Sequence, residues 1–173
     1  MVNYRRVHLN GGTYFITVTL KNRRSKLLTE NIQLLRKALK ISIQKYQFKI
    51  EAICILPDHM HLIIKLNEKE DSTGPCIQRL KSEFVKLLKR SSSVSFNHRS
   101  EADVWQRRFW EHILRDDNDY RRHVDYIHFN PLKHGLVKSV EDWPFSSFHK
   151  FKKKGLYSDN WCQDHIGINE GFD

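Results

Sequence analysis

The sequence has few cysteines, few acidic residues and no long apolar run, and each of these shortages excludes a class of protein. Cys54, Cys76 and Cys162 are odd in number, lie far apart and form no CxxC pair, which excludes a disulfide framework and a cysteine zinc site. No apolar run approaches the ~20 residues of a membrane span, and the basic opening from Met1 to Leu20 lacks the apolar stretch of a signal peptide. We therefore expect an intracellular protein with no membrane partner.

Acidic residues are outnumbered by basic ones. The chain has 30 Lys and Arg against 20 Asp and Glu, which gives a formal net charge of +10. Such a surface attracts polyanions, so nucleic acid is the leading expected partner. The 173 residues, 39% of them hydrophobic, suffice for one domain with a single core, and the sequence contains no internal repeat. Residues 1–29 carry no acidic side chain and form a candidate phosphate contact surface through Arg5, Arg6, Lys21, Arg23, Arg24 and Lys26.

Apolar periodicity predicts a mixed chain of strands and helices. Residues 14–20, 48–56, 59–66 and 104–114 have the aromatic and β-branched composition of strands. Apolar positions three or four apart predict helices over 29–46, with Thr29 as N-cap, from Pro75 to 88, and over 117–130, where Pro131 discourages continuation. The order βαββαβ plus one helix is that of an α+β ferredoxin-like sheet with two helices on one face. The extra helix must cover the remaining sheet surface or its edge.

Two short patterns carry side chains suited to chemistry at a phosphate. His59 and His61 flank Met60 in a predicted strand, and side chains two apart on a strand point to the same face, so both imidazoles could bind one ion. Tyr126 and Asn130 are four apart in the last predicted helix, which makes them neighbours on one face, and Asn130 offers a carbonyl oxygen to a metal. Each pattern also has a bland explanation: half-buried strand histidines, and a core tyrosine with its hydroxyl at the rim.

Five stretches over nearly the whole chain form a specific pattern. They are Tyr4-Arg5-Arg6, GGTYFITVTLKNRRSKLL at 11–28, LPDHMHLI at 56–63, WQRRFWEHILRDDNDYRRHVDYIHFNPLKHGLV at 105–137, and DWPFSSF at 142–148. In these stretches the chain resembles the REP-associated tyrosine transposases, members of the single-tyrosine HUH superfamily and relatives of the transposases of small bacterial insertion sequences. The resemblance implies a bacterial, cytoplasmic and nucleoid-associated protein. It also implies a single HUH transposase domain over 1–173, with a C-terminal extension from about residue 138.

The resemblance assigns roles to individual residues. His59 and His61 match the His-hydrophobic-His motif that binds a divalent ion, and Tyr126 matches the nucleophile. The superfamily often has a glutamine four residues after that tyrosine as a third ligand, where this chain has the shorter Asn130. Lys133 and His134 are candidates for supporting the site. The implied reaction cleaves single-stranded DNA with Mg²⁺ or Mn²⁺, leaving a covalent 5′-phosphotyrosine and a free 3′-hydroxyl, and it can run backwards to rejoin strands.

The implied substrates are imperfect palindromes folded into hairpins, with a short single-stranded guide sequence on the 5′ side. Single strands are also recognised by stacking, and Tyr4, Trp105, Phe109, Trp110 and Trp143 lie near basic residues in the sequence. Arg and Lys side chains that could anchor phosphates, or merely be solvated, are Arg5, Arg6, Arg23, Arg24, Lys26, Arg107, Arg108, Arg121 and Arg122.

Two other functions compete with strand transfer. The chain could be a hydrolytic metal nuclease in which water attacks and Tyr126 is structural, or a hairpin-binding protein without chemistry. A covalent adduct between protein and cut DNA separates these hypotheses. REP-type members resemble single-copy host genes, which favours a monomer over a dimer.

Overall fold

A four-stranded antiparallel sheet forms the centre of the protein, with helices on both faces. The computed structural model describes residues 8–91, 101–159 and 161; Tyr4, Arg5, Arg6 and Cys162 lie outside them. The strands are β1 Thr13–Thr19, β2 Lys49–Ile55, β3 His59–Lys65 and β4 Trp110–Ile113, in the spatial order β2-β3-β1-β4. The helices are α1 Leu27–Glu30, α2 Ile32–Tyr46, α3 Gly74–Arg90, α4 Glu101–Val104, α5 Asp117–Lys133 and α6 Phe148–Lys153. The predicted α+β, ferredoxin-like order is confirmed.

The sheet separates two cores because strand side chains alternate between its faces. Tyr14, Ile16 and Val18 of β1 join the larger core beneath α2 and α3. Phe15 of β1 and Ile63 of β3 join a smaller core beneath α5. Helix α5 therefore covers the face that the other two long helices leave open, as the sequence order requires. No helix among the described residues is both long and apolar enough to cross a bilayer.

The prediction that Thr29 caps the first long helix is wrong. Thr29 lies inside α1 and donates its hydroxyl to the carbonyl of Lys26, while α2 begins only at Ile32. The reason is tertiary. Leu28 is fully buried and its backbone N–H donates to the carbonyl of Pro57 at 3.1 Å, so this turn docks on the hairpin between β2 and β3 as a separate short helix.

The predicted strand over 104–114 is too long. Val104 ends α4, Trp105 makes an isolated bridge to Leu20, and the chain returns to the sheet only at Trp110. Residues 106–108 are polar and exposed, and the buried ammonium of Lys81 donates to the carbonyl of Gln106 at 2.7 Å. That hydrogen bond fixes the intervening loop outside the strand, leaving β4 a four-residue edge strand.

The prediction that Pro131 ends the last helix is also wrong. Pro131 lies inside α5, which runs to Lys133. A proline this close to a helix end removes one backbone donor only, and the amide of Leu136 donates to the Pro131 carbonyl at 2.9 Å to close the final turn. Pro131 is buried, so packing favours the helical conformation there. The start of α3 follows the prediction, with Pro75 in its first turn.

The segment after α5 covers the outer edge of β2. A 3-10 turn spans Val140–Asp142, and the following residues run beside β2. The amide of Ile55 donates to the carbonyl of Phe145, and the amide of Ser147 donates to the carbonyl of Ile53, both at 2.8 Å. An otherwise open sheet edge is thereby paired.

Candidate active site

The two histidines of the HMH motif lie on β3, which is hydrogen-bonded to a strand on each side. His59 and His61 are both 4% exposed, and their ring centroids are 5.0 Å apart. His61 stacks on Phe15, a residue of the core beneath α5, so the pair faces that helix. An interior strand thus holds both imidazoles rigidly on one sheet face.

Each imidazole is oriented by a hydrogen bond to its Nδ1 atom. Asp58 Oδ1 lies 2.8 Å from Nδ1 of His59, and Thr17 Oγ1 lies 2.9 Å from Nδ1 of His61. The second oxygen of Asp58 pairs with Nε of Arg23 at 3.0 Å, which fixes the carboxylate in turn. With both Nδ1 atoms engaged, the Nε2 atoms are left as metal ligands, the usual division of labour for metal-binding histidines.

Burial keeps these imidazoles neutral, as ligation requires. Burial lowers the pKa of His59, although its hydrogen bond to Asp58 opposes this effect. The pKa of His61 falls well below its usual value, first through burial and then through repulsion from the neighbouring His59 and His134. Near neutral pH both rings therefore present lone pairs rather than positive charges.

Helix α5 brings the predicted nucleophile to the same place. Asp116 caps the helix by accepting from the amide of Asp119 at 2.8 Å. The Tyr126 ring, 5% exposed, lies 5.3 Å from the ring of His61, and one turn later Asn130 is fully buried. The carboxamide nitrogen of Asn130 donates to the Tyr126 carbonyl at 3.2 Å. The carboxamide oxygen of Asn130 therefore points away from that carbonyl.

Two buried lone-pair atoms of this site make no hydrogen bond within the described part of the chain: His61 Nε2 and Asn130 Oδ1. Burial is the main cause of the lowered pKa of His61, and the nearby Asn130 carboxamide partly opposes it. The two groups nevertheless do not form a hydrogen bond of ordinary geometry. A buried acceptor without a partner costs free energy, and a divalent cation would satisfy both atoms. The donor set of His59, His61 and Asn130 therefore fits a metal ion.

The two candidate supporting residues follow directly on α5. Nζ of Lys133 lies 5.2 Å from the centroid of the Tyr126 ring. The ring of His134, which is exposed, lies 5.1 Å from that of His59. The structure thus brings all six predicted active-site residues together.

The predicted DNA contacts do not converge in the same way. Those among the described residues are all exposed, but they occupy several places on the molecule. Arg107 and Arg108 line a cavity of about 680 Å³ beside the start of α3. Arg121 lines a second cavity on the outer side of α5, and Arg23 is already paired with Asp58. The remaining exposed members of the set are Arg24, Lys26 and Arg122.

The aromatic candidates have different fates. Trp105 is 1% exposed and belongs to the larger core. Trp143 is half-buried and donates its indole N–H to the carbonyl of Ile55, and Phe109 is also half-buried. Trp110 is exposed, at 46%, and is the one exposed member of the four that the structure describes.

The structure reveals a second cluster of ligand-type residues that the sequence did not predict. His112 of β4 and two residues of α5, Asp119 and His123, have ligand atoms within 4.8 Å of one another. Nε2 of His112 lies 2.8 Å from the Asp119 carboxylate, and the two imidazoles stack with centroids 4.9 Å apart. The spacing of Asp119 and His123 by four residues could have indicated that they share a helix face. Their partner His112 lies on a different element, β4, so spacing along the chain could not indicate it. Thr17, which orients His61, was missed for the same reason, whereas Asp58 directly precedes His59 in the sequence and was overlooked.

The chain matches the protein-family model described as Transposase IS200-like over residues 9–129. It is 43% identical to the REP-associated tyrosine transposase of Escherichia coli strain K12, over 99% of this chain and 97% of the relative. A protein of Haemophilus influenzae with a provisional form of the same name is 44% identical, with 93% of each chain covered. The solved structure of a REP-associated tyrosine transposase bound to a REP hairpin has a TM-score of 0.81 and 42% identity, covering 100% of this chain and 93% of that one. The chain therefore belongs to the IS200-like transposases and, among them, to the REP-associated tyrosine transposases.

Proposed function

We propose that this protein is a metal-dependent single-stranded DNA endonuclease and strand transferase that forms a covalent 5′-phosphotyrosine at Tyr126. One observation carries the proposal: a tyrosine ring, two neutral imidazoles and a buried carboxamide oxygen lie together between β3 and α5, and two of their lone-pair atoms make no hydrogen bond within the described residues. This combination suits an oxygen nucleophile beside a bound cation.

The proposed ligands are His59, His61 and Asn130, and the proposed ion is Mg²⁺ or Mn²⁺. Transposases of this family generally depend on a metal. Imidazole ligands favour Mn²⁺, whereas oxygen ligands and water suit Mg²⁺. When bound, the ion would neutralise charge on the non-bridging oxygens of the scissile phosphate as the transition state forms.

The proposed reaction exchanges one phosphoester for another. The Tyr126 oxygen attacks phosphorus, its phenolic proton leaves, the bond from phosphorus to the 3′-oxygen breaks, and that oxygen takes up a proton as a free 3′-hydroxyl. Lys133, with its ammonium 5.2 Å from the centre of the tyrosine ring, would stabilise negative charge as the proton leaves. The bond energy is kept in the phosphotyrosine, so a 3′-hydroxyl can reverse the reaction.

The proposed substrate is a hairpin-forming palindrome with a single-stranded flank. The most direct support is the similar solved structure, whose protein is bound to a REP hairpin. We also propose that residues 1–173 act as one domain, in which the extension from about 138 braces β2 and α5, and that the working form is a monomer.

The decisive experiment compares Tyr126→Phe with the wild-type protein. Only the attacking oxygen is removed while the ring remains, so we expect no SDS-resistant adduct with 5′-flanked hairpin DNA and retained hairpin binding. Labelled DNA on a denaturing gel measures the adduct, and a mobility shift measures binding.

Tyr46→Phe is the matched control, because Tyr46 ends α2 on the opposite side of the sheet. Tyr157 is unsuitable, since its hydroxyl bonds to His128 and Asp125. Adduct formation by Tyr126→Phe would refute the assigned nucleophile. Free cut ends without an adduct from wild type would indicate a hydrolytic nuclease, and binding without cutting would indicate a hairpin-binding protein.

A further inference from the structure

Trp110, the first residue of β4, exposes a large aromatic ring to solvent. Four large apolar side chains are exposed among the described residues, and at 46% exposure Trp110 is the one aromatic ring of the four. Burying an indole is strongly favourable, so an indole held in water at the edge of a sheet suggests a ligand that covers it.

Other side chains hold the indole in a fixed position. The ring of His112 stacks on it with a centroid distance of 6.0 Å and planes 14° apart, and Phe15 meets it edge-on at 5.5 Å. His112 is itself hydrogen-bonded to Asp119 of α5. Trp110 therefore ends a stack of rings that starts in the core, and little side-chain entropy remains to be lost on binding.

The indole lies on the same sheet face as the candidate active site. Thr17 of β1 pairs with His61 on one side and with Trp110 on the other, so the three residues form one row across the sheet. Two inter-strand spacings separate the two outer residues, about 9 to 10 Å. A DNA strand whose phosphate lies at His61 would pass within reach of the ring.

We propose that Trp110 is a stacking platform for one unpaired nucleobase of the single-stranded DNA that flanks the scissile phosphate. This inference rests on the proposed function of the neighbouring site. Every base has a π-face, so stacking tolerates any sequence. A base inside a duplex is already stacked on both faces, which makes an unpaired base the natural occupant. Arg107 and Arg108, both exposed, lie three and two residues before Trp110 in the chain.

A double-mutant cycle between protein and DNA tests the platform. Abasic sites are placed one at a time along the flank of the hairpin DNA, and binding by Tyr126→Phe protein is compared with binding by the same protein carrying Trp110→Ala. We expect Trp110→Ala to weaken binding of intact flanked DNA by about 5- to 100-fold. At one flank position, the abasic site should weaken DNA binding by the Trp110 protein by a similar factor. The same abasic site should leave DNA binding by the Trp110→Ala protein unchanged.

Three controls make the result specific. Trp110→Phe should retain most of the affinity because it keeps an aromatic face, and Leu9→Ala should change nothing because it truncates another exposed apolar side chain, 50% exposed, at the far end of β1. The Trp110→Ala protein should bind a hairpin stem without a flank with the same affinity as the protein that keeps Trp110. Thermal melting of each variant checks the fold.

Equal losses for stem and flanked DNA, or a loss that no abasic position removes, would overturn the platform. The covalent-adduct assay with the wild-type tyrosine is run separately. A positive cycle with no adduct would keep the stacking site and reject the strand-transfer chemistry, whereas an adduct with a negative cycle would do the opposite.

Discussion

The imidazoles of His59 and His61 are each held from one side by the protein, through Asp58 and Thr17. Their Nδ1 atoms are committed to these partners, so each ring has one nitrogen for a ligand. In the cluster of His112, Asp119 and His123, both imidazoles bond to Asp119. We propose the first set of residues as the ion site and a packing role beneath Trp110 for the second.

Calorimetry with Mn²⁺ separates the two sets. Removing both imidazoles by His59→Ala with His61→Ala should weaken Mn²⁺ binding by about 100-fold or more, because two of three protein ligands are lost. His112→Ala removes one imidazole from the other cluster and should leave the affinity unchanged. Undiminished Mn²⁺ binding in the double variant, together with weaker binding in His112→Ala, would move the metal site to β4.

At the residue scale, the sequence predicted the active-site side chains but not the residues that hydrogen-bond to them and orient them. Spacing along a strand and a helix made the pairs His59–His61 and Tyr126–Asn130 candidates, and the family resemblance selected Tyr126 as the expected nucleophile and the two histidines as expected ligands. Arg23 is predicted to contact phosphate, and the structure adds a contact that the sequence did not indicate, the pairing of its guanidinium with Asp58 next to His59. Such a contact joins residues from separate elements, so local spacing carries no information about it.

Helix α5 carries the proposed nucleophile and is fixed at its outer side by a buried hydrogen-bond network. Nδ1 of His128 lies 2.7 Å from the Tyr157 hydroxyl, and Nε2 lies 2.7 Å from Oγ of Ser147. Tyr157 also donates to Asp125 of the same helix, and Oγ of Ser147 accepts from the amide of Ile53 in β2. The C-terminal segment thereby connects α5 to the sheet.

Acid should weaken this anchor. Burial lowers the pKa of His128 to about 3, and the nearby His149 adds a smaller repulsion. Between that value and about 6.5 the unfolded chain binds a proton at this histidine that the folded protein excludes, so stability is full above pH 6.5 and is lost as the pH falls. From pH 6.5 to pH 5 the expected loss from this group is about 2 kcal/mol in the free energy of unfolding.

Urea unfolding at pH 7 and pH 5 measures this loss by comparing wild type with His128→Gln. Burial also lowers the pKa values of His59, His61 and His123, so the wild-type decline contains their contributions as well. The variant keeps an amide of similar reach without the titration, and its decline should be smaller by the same amount, about 2 kcal/mol. Parallel declines would show that His128 does not contribute to the pH dependence.

Elements were predictable where apolar spacing is regular and failed where tertiary contacts intervene. The ends of α3 and of both strands of the β2-β3 hairpin are predicted within two residues, whereas α2 begins three residues after the predicted start. The end of α5 was misjudged because Pro131 is buried in its last turn. The loop before Trp110 was read as strand because the hydrogen bond from Lys81 that holds it out of the sheet is a long-range contact.

On the scale of the whole molecule, the basic charge is spread over several surfaces. The loop after β1 contains exposed Arg24 and Lys26, and it adjoins the active site because the neighbouring Arg23 pairs with Asp58. Neutralising both, as Arg24→Ala with Lys26→Ala, should make the logarithmic salt dependence of hairpin binding shallower by roughly 0.7 to 0.9 for each phosphate that the protein no longer neutralises. Arg23 is left intact in this test because its removal would also disturb Asp58.

The matched control is Lys37→Ala with Lys40→Ala, which removes the same charge from the exposed side of α2 on the other face of the sheet. Salt titrations with matched and scrambled hairpins should show that the first pair weakens binding of both DNAs equally, because phosphate contacts carry no sequence information. An identical slope change for both pairs would indicate a general charge effect rather than a contact surface.

The sheet has two edges, and they are not equivalent. The backbone of residues 145–147 already occupies the edge at β2, while β4 at the other edge carries the exposed Trp110. Within the described residues, β4 is the edge along which a second copy of the chain could lengthen the sheet, and that copy would crowd the indole and the arginines before it. Self-association through the sheet and capture of a DNA flank would therefore be mutually exclusive. Substrate would act as a dissociating agent, and the DNA-loaded protein would stay solitary even in concentrated solution.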